Sequence, residues 1–288
     1  MSDAAPHATP SASQPAGRIA ERFRKLSRAG ELGLVAYVTA GDPSLEASEK
    51  IVLAAADAGA DVIELGVPFS DPVADGPTIQ RASERALRSG TTLAGVLDLV
   101  RRLRQRTQVP LVLFSYFNPM LQMGIPKFAD AAAAAGADGV LATDLTVEES
   151  EEYRSTLRAR RLDTIFLAAP TSTDARLQRI AGISSGFLYL ISRTGVTGAR
   201  EALPEELPGL VRRIRQFTPL PVAVGFGISL PTHVTVLGGI ADAAVVGSAI
   251  VAEIEKAGSA DAAAKAVGDL VARLKHAARS GISRRSPQ

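Results

Sequence analysis

Runs of apolar residues rich in Val, Ile and Leu recur along the chain, and Gly or Pro stands at most of their borders. Most of these runs are apolar almost throughout and do not alternate with polar positions. This pattern is typical of strands in a parallel sheet that is covered on both faces. It predicts eight strands, at residues 34–40, 62–68, 111–117, 139–145, 164–170, 187–192, 221–228 and 243–249.

The intervals between these runs have apolar positions at helical spacing, and several end in Gly just before the next run. They predict helices at 46–58, 78–88, 92–106, 127–135, 147–160, 173–181, 204–216 and 262–279. A doubly wound open sheet also alternates strands and helices, but its ligand-binding glycines usually follow the first strand. Here the Gly-rich turns follow the sixth, seventh and eighth strands. The pattern favours an α/β fold, a single (β/α)8 TIM barrel with extra helices and an active site at the C-terminal ends of the strands.

The ends of the chain differ in composition from this repeating pattern. We expect residues 1–17, which are rich in Ala, Ser and Pro, to be a disordered tail, 18–279 to form the barrel, and 280–288 to be a basic tail. Residues 1–17 have no basic start that leads into an apolar run, so they do not match a signal peptide. No stretch reaches the roughly 18–20 uninterrupted apolar residues of a membrane helix. We therefore expect a cytoplasmic protein without membrane contact.

Charge and composition exclude several classes of function. The formal net charge is +2, and the basic residues concentrate at 18–28 and 271–288, on either side of an acidic body. Solvated helix faces and tails explain that distribution better than a nucleic-acid surface does. The chain has no Cys, which excludes disulfides, thiolate metal sites and a cysteine nucleophile. The three histidines, His7, His233 and His276, form no metal triad or Ser-His-Asp set with any visible partner, so we expect no metal site.

Two carboxylates are candidates for acid/base chemistry. Glu64 lies inside the apolar run of the second strand, where burial would raise its pKa and suit it to proton transfer near neutral pH. A buried Glu paired with an Arg or a backbone donor is the structural alternative. Asp75 lies in the loop 68–77, whose three prolines would hold it stiffly over the barrel mouth. Alternatively, Asp75 or Thr78 caps the helix that follows.

Glycines in three successive loops predict a phosphate site. They occur at 193–198 after the sixth strand, at 225–229 in the seventh, and at 247–249 after the eighth. Glycines let backbone N–H groups approach a phosphate, and Gly247-Ser248 would open a helix whose N-terminus attracts an anion. Barrel enzymes often bind phosphate at the loops after strands seven and eight. Tight turns without a ligand are the alternative for any one of these loops.

Four of these segments resemble the tryptophan synthase alpha subunit family: residues 35–43 (VAYVTAGDP), 64–80 (ELGVPFSDPVADGPTIQ), 189–198 (YLISRTGVTG) and 225–229 (GFGIS). The similarity extends over about residues 18–275. It implies a barrel that cleaves indole-3-glycerol phosphate into indole and glyceraldehyde 3-phosphate. Indole would then pass to a beta subunit in an alpha-beta-beta-alpha complex for tryptophan biosynthesis.

The resemblance also implies a role for each matching residue. Glu64 would be the general acid/base, and Asp75 the carboxylate that accepts a hydrogen bond from the indole N–H. The remaining substrate contacts would come from Tyr37, Tyr189, Thr197, Gly198, Phe226, Gly227, Gly247 and Ser248. Tyr37 stands where the family commonly has Phe, and Ala36 where it has Pro, so the contact between Tyr37 and indole follows less directly from the resemblance.

The resemblance further implies mobility and partner surfaces. The loop 193–198 would be a lid that brings Thr197 near Asp75. Pro68, Asp71 and Asn118 would lie at the interface with the beta subunit. This chain would hold no cofactor, and pyridoxal phosphate would belong to the beta subunit.

Three other functions remain open at this point. A stand-alone indole-glycerol-phosphate lyase would share the scaffold but release free indole without a partner. A non-catalytic subunit would keep the barrel and activate a partner, although the presence of both Glu64 and Asp75 argues against it. A different phosphosugar barrel, such as an isomerase, would not need the loop of Asp75 in this form.

Overall fold

The computed structural model describes residues 17–191, 203–225 and 227–280. Within these ranges nine parallel strands form one sheet. The strands are β1 (Gly33–Thr39), β2 (Val62–Gly66), β3 (Leu111–Ser115), β4 (Gly139–Ala142), β5 (Asp163–Ile165), β6 (Leu167–Ala168), β7 (Leu188–Ile191), β8 (Val222–Gly225) and β9 (Ala243–Val246).

Helices connect the strands and surround the sheet. They are α1 (Arg18–Ala29), α2 (Leu45–Asp57), α3 (Pro77–Arg88), α4 (Leu93–Arg104), α5 (Phe117–Met123), α6 (Ile125–Ala135), α7 (Glu151–Ala159), α8 (Asp174–Ile183), α9 (Leu207–Arg215), α10 (Pro231–Leu237), α11 (Ser248–Lys256) and α12 (Ala260–Ser280). None of the helices in this part of the chain is long and apolar enough to cross a membrane.

The sheet closes into the predicted barrel. The strand order is β5-β4-β3-β2-β1-β9-β8-β7-β6, and β5 and β6 at its two ends are separated only by Phe166. Residues 163–165 pair with β4, and residues 167–168 pair with β7. The prediction of one continuous fifth strand at 164–170 is therefore wrong. This segment is two short strands, because it changes its pairing partner at the point where the barrel closes.

Side chains of the strands form two apolar layers. One set, which includes Val35 and Tyr37 of β1 and Val112 and Phe114 of β3, fills the barrel interior. The alternate set, which includes Leu34 of β1, packs against the surrounding helices. Both faces of most strands are thus buried, and only β5, β6 and β7 each have one partly exposed residue, which explains why the apolar runs do not alternate with polar positions.

The N-terminal end of the barrel is closed by α1, which contributes Ile19, Phe23 and Leu26 to the interior cluster. At this end an Asp at the start of one strand accepts a hydrogen bond from the first residues of the neighbouring strand. The pairs are Asp61 with the N–H of Leu34 (2.8 Å), Asp138 with that of Leu111 (2.8 Å) and Asp242 with that of Val222 (2.9 Å). The sequence Gly-Ala-Asp occurs at 59–61 and again at 136–138, just before a strand each time, and its Asp joins that strand to its neighbour.

Several element bounds differ from the sequence predictions. The third strand ends at Ser115, and α5 occupies residues that the prediction had assigned to strand or loop. Helix α5 stops at Gly124, which has a left-handed φ of 87° and leads directly into α6. The predicted tails at 1–17 and 280–288 lie outside the described residues, except for Gly17 and for Ser280, which ends α12.

Candidate active site

A cavity of about 570 Å³ opens at the carboxyl ends of the strands. Six of the predicted site residues line it: Tyr37, Asp75, Tyr189, Gly227, Gly247 and Ser248. They come from β1, β7 and the loops after β2, β8 and β9, and only the closed barrel brings these segments together. The expected position of the active site is confirmed.

Glu64 is completely buried in the interior of the barrel, beneath the cavity that the other residues line. It is the central residue of β2 and lies in register with Tyr37 of β1. Within the described part of the chain, neither of its carboxyl oxygens has a hydrogen-bond partner, so the structural alternative of a paired Glu does not apply. Burial raises the pKa of Glu64 to about 8. The carboxyl group therefore keeps its proton at neutral pH.

Asp75 lies at the cavity wall in a more polar position. Burial raises its pKa to about 6, and a hydrogen bond from the Tyr116 hydroxyl opposes that rise. The hydroxyl donates to Asp75 Oδ2 at 3.2 Å. Neither Asp75 nor Thr78 caps α3, whose N-cap is Gly76 with no side-chain cap bond, so the capping alternative is wrong. At neutral pH Asp75 is mostly ionised.

A row of aromatic rings lies in the barrel interior near the two carboxyl groups. The rings of Tyr37 and Phe114 meet edge to face with centroids 5.3 Å apart, and Phe114 lies 6.4 Å from Tyr189. Burial raises the pKa of Tyr37 and of Tyr189, and the neighbouring carboxyl groups of Asp75 and Glu64 add to that rise, so both phenols stay neutral. These rings form an apolar surface of the kind that a flat aromatic substrate requires.

Two strand glycines make room for these phenols. A Cβ atom at Gly66 of β2 would overlap the hydroxyl group of Tyr37. A Cβ atom at Gly225 of β8 would overlap that of Tyr189 in the same way. Both positions therefore require glycine, because the backbone and the phenol approach each other too closely for a Cβ atom to fit.

The opposite end of the cavity is suited to an anion. Gly247 is the N-cap of α11 and Ser248 its first residue, and no side chain caps this terminus. The first N–H groups of a helix have no partner within the helix, and the helix dipole favours negative charge there. Gly227 lines the same end with a left-handed φ of 88°. Ser229 lines it too, and its Oγ is buried without a hydrogen-bond partner among the described residues.

Three predicted site residues and the lid lie outside the described residues: Thr197, Gly198, Phe226 and the loop 193–198. Of the predicted interface residues, Asp71 and Asn118 are exposed and Pro68 is buried. The loop of Asp71 and helix α5 of Asn118 are neighbours, since the rings of Phe69 and Tyr116 lie 5.1 Å apart.

Sequence reasoning missed three residues of the site. Phe114 and Tyr116 are placed only within the predicted third strand, and Ser229 only within the glycine-rich segment 225–229. For the two aromatic residues the signal in the sequence is their spacing, because residues 112, 114 and 116 follow the period of two that points side chains to one face of a strand. Among the described residues, no group of three or more His, Cys, Asp or Glu side chains could hold a metal ion.

Comparisons with known proteins agree with this geometry. The family model described as "Tryptophan synthase alpha chain" matches residues 23–279. The tryptophan synthase alpha chain of Solibacter usitatus is 53% identical over 239 residues, which cover 83% of this chain and 90% of that relative. The relative from Citrifermentans bemidjiense is 50% identical over 264 residues, which cover 92% of this chain and 98% of that one.

Solved structures match over nearly the whole chain as well. A structure of Mycobacterium tuberculosis tryptophan synthase superposes with a TM-score of 0.85 at 35% identity, covering 92% of this chain and 99% of that one. Tryptophan synthase subunit alpha from Legionella pneumophila gives a TM-score of 0.83 at 35% identity, over 92% of this chain and 100% of that one. The chain belongs to the tryptophan synthase alpha chain family.

Proposed function

We propose that Glu64 and Asp75 carry the reaction of this family, the lyase cleavage of indole-3-glycerol phosphate into indole and glyceraldehyde 3-phosphate. One observation carries the assignment. Buried Glu64 lies beneath the cavity and half-buried Asp75 lines it, with pKa values of about 8 and about 6, on either side of neutrality. One therefore holds a proton where the other holds a negative charge, which is the pairing that acid/base catalysis requires.

Glu64 provides the proton. Cleavage of the carbon–carbon bond at indole C3 needs a proton on C3, and the neighbouring glycerol hydroxyl must lose one as the aldehyde forms. Glu64 donates the first proton and its carboxylate accepts the second, so it ends the cycle as it began. Its carboxyl group is fully buried and lies at the cavity floor, close to Tyr37 and Tyr189.

Asp75 stabilises the charge that this protonation creates. The indole ring becomes cationic when C3 is protonated, and the carboxylate accepts a hydrogen bond from the ring N–H. A fixed negative charge at that point favours the transition state more than the neutral substrate. The aromatic row of Tyr37, Phe114 and Tyr189 would hold the ring, and Gly227, Gly247 and Ser248 would hold the phosphate. Thr197, Gly198 and Phe226 would complete the substrate contacts.

The partner is a tryptophan synthase beta subunit, which takes up the indole in an alpha-beta-beta-alpha complex. We assign pyridoxal phosphate to that subunit and no cofactor to this chain, since carboxylate chemistry is sufficient for the cleavage. The exposed side chains of Asp71 and Asn118 support the predicted interface, whereas buried Pro68 would act by shaping the loop. A biosynthetic enzyme of this kind would work in the cytoplasm, with the barrel at 18–279 between two tails.

The test is indole release from indole-3-glycerol phosphate by the purified chain, measured with and without a tryptophan synthase beta subunit. We expect Glu64→Gln to lower kcat by about 10²- to 10⁴-fold, because a general acid/base is lost. Asp75→Asn should lower kcat by about 10²-fold, because charge stabilisation is lost. The matched control is Glu148→Gln, which alters a surface carboxylate paired with Arg176.

Two outcomes would contradict this assignment. Full cleavage by Glu64→Gln would favour the non-catalytic subunit. Near-full turnover by the isolated chain, with no increase when the beta subunit is added, would favour the stand-alone lyase.

A further inference from the structure

The hydroxyl group of Tyr116 bridges two groups of the loop that carries Asp75. It donates to Asp75 Oδ2 at 3.2 Å and accepts a hydrogen bond from the N–H of Ala74 at 2.9 Å. One oxygen atom therefore fixes both the carboxylate and the backbone next to it. Tyr116 does not line the cavity, so it acts on the site through Asp75.

Tyr116 is itself held firmly. Its side chain is buried, and its ring packs on Phe69 of the same loop with centroids 5.1 Å apart. Its carbonyl oxygen accepts a hydrogen bond from Ser115 Oγ at 2.8 Å. The next residue, Phe117, donates its N–H to Asp144 Oδ1 at 2.7 Å. The Tyr116 side chain thus connects the end of β3 to the loop after β2.

We propose that Tyr116 is a positioning residue for Asp75, holding its carboxylate at the cavity wall in the ionised form. This inference rests on the role proposed for Asp75. Apart from Tyr116, the loop 68–77 is held around Asp75 by contacts close in sequence: the N–H of Asp75 donates to the carbonyl of Pro72 at 3.0 Å, and the side chain of Gln80 in α3 donates to the carbonyl of Asp75 at 2.8 Å. The phenol supplies the contact from a different strand that fixes the loop against the barrel.

Loss of the hydroxyl should change the titration of Asp75. Its carboxyl is faced by the phenols of Tyr116, Tyr37 and Tyr189, with Glu64 behind them, and the charge of Asp75 raises the pKa of all three phenols. Of these groups, the hydroxyl of Tyr116 lowers the pKa of Asp75 by hydrogen bonding to its charged form. Without that bond the pKa of Asp75 rises above about 6, and less of the carboxylate is ionised at neutral pH.

The variant Tyr116→Phe tests the proposal in the complete chain with the beta subunit present. We expect kcat for indole release at pH 7 to fall about tenfold or more, with KM little changed, since Asp75 acts mainly in the transition state. The acidic limb of the pH–rate profile should move to higher pH, so that the loss is greater at pH 6.5 than at pH 8. A purely structural role would lower the rate equally at all pH values.

Tyr153→Phe is the matched control. Tyr153 is equally buried, packs on Phe117 of α5, and donates its hydroxyl to the carbonyl of Val140 at 3.3 Å, away from the cavity. We expect it to leave kcat and the pH profile unchanged. In the Asp75→Asn background, Tyr116→Phe should cause no further loss of rate, and this double variant also separates positioning from general destabilisation.

A direct titration distinguishes failure of this inference from failure of the proposed function. Carbon-13 NMR of labelled Asp carboxyl groups, assigned with Asp75→Asn, follows Asp75 without any substrate. A higher titration midpoint in Tyr116→Phe with unchanged kcat would sustain the positioning role and remove Asp75 from catalysis. An unchanged midpoint, or an equal loss of rate in the Asp75→Asn background, would overturn the inference.

Discussion

Asp61 and Glu64 are both buried acidic residues, three positions apart at β2, but only Asp61 has hydrogen-bond partners among the described residues. Asp61, at the N-terminal end, accepts a hydrogen bond from Lys275 Nζ at 2.7 Å and another from the N–H of Leu34 at 2.8 Å. Arg22 lies 3.7 Å from its other oxygen. Glu64, at the centre of β2, has no hydrogen-bond partner among the described residues.

This difference indicates that the N-terminal end of the barrel stabilises the fold, whereas the cavity end carries the chemistry. A buried carboxylate that is paired and hydrogen-bonded ties elements together, and here Asp61 links β1, β2 and the last helix, α12. A buried carboxyl group without a partner costs stability and is retained for its chemistry. The basic residues near the C-terminus are predicted to lie on solvated faces and tails, but Lys275 of α12 is buried and bonds Asp61.

The largest effect on folding should come from Asp61→Asn. Lys275 is buried, and after the substitution Glu31, whose carboxylate lies at 3.5 Å, is its one remaining charged partner among the described residues. Breaking a buried ion pair typically costs about 3–5 kcal/mol. We expect a loss near 3 kcal/mol in the free energy of unfolding, measured with urea, while kcat per folded molecule is unchanged. A loss of kcat larger than the loss of folded protein would contradict a purely structural role for Asp61.

Glu64→Gln should have the opposite sign and depend on pH. The folded-state pKa of about 8 exceeds the ordinary value of 4.5, so the wild type loses stability as the pH rises between them. Gln does not titrate. The stability of Glu64→Gln relative to wild type should therefore increase by roughly 2–4 kcal/mol between pH 5 and pH 8. Urea unfolding at three pH values measures this, with Glu148→Gln as the flat control.

Gly66→Ala should disturb the site through packing alone. The added methyl group would overlap the hydroxyl of Tyr37, and overpacking of this kind typically costs about 1–3 kcal/mol. We expect lower stability together with a higher KM, because Tyr37 must leave its place in the aromatic row. Gly182→Ala in α8 is the control, since a methyl there meets no atom within 4 Å. Equal effects of the two substitutions would argue against the close fit at Tyr37.

The smallest effect should come from Asp242→Asn at the same end as Asp61. Asp242 pairs with Arg215 at 3.1 Å, but the two side chains are 37% and 42% exposed. An exposed ion pair contributes about 0.2–1 kcal/mol, and Asn can still accept the hydrogen bond from Val222. Thermal unfolding should therefore shift only slightly. A loss as large as that of Asp61→Asn would show that the exposed ion pair with Arg215 stabilises this end as much as the buried pair with Lys275 does.

The sequence predicted the barrel closely, together with several residues that lie at or beneath its cavity. Seven of the eight apolar runs are single strands, and Glu64, Asp75, Gly227, Gly247 and Ser248 lie at or beneath the cavity as expected. Burial of an acidic residue in an apolar run and a helix start after Gly-Ser are local patterns, so they are visible in the sequence. The break at Phe166 was not, because it depends on which strands the segment meets when the barrel closes.

By itself the sequence determined the alternation of strands and helices, the buried position of Glu64 and the place of Asp75 in a Pro-rich loop after β2. These follow from the order of apolar, Pro and Gly residues along the chain. Only the tertiary structure decided that Asp61 is paired while Glu64 is not, and that the hydroxyl of Tyr116 reaches Asp75. The physical reason is that desolvation and hydrogen bonding depend on neighbours up to 214 residues away in the chain, and only the closed barrel brings those neighbours together.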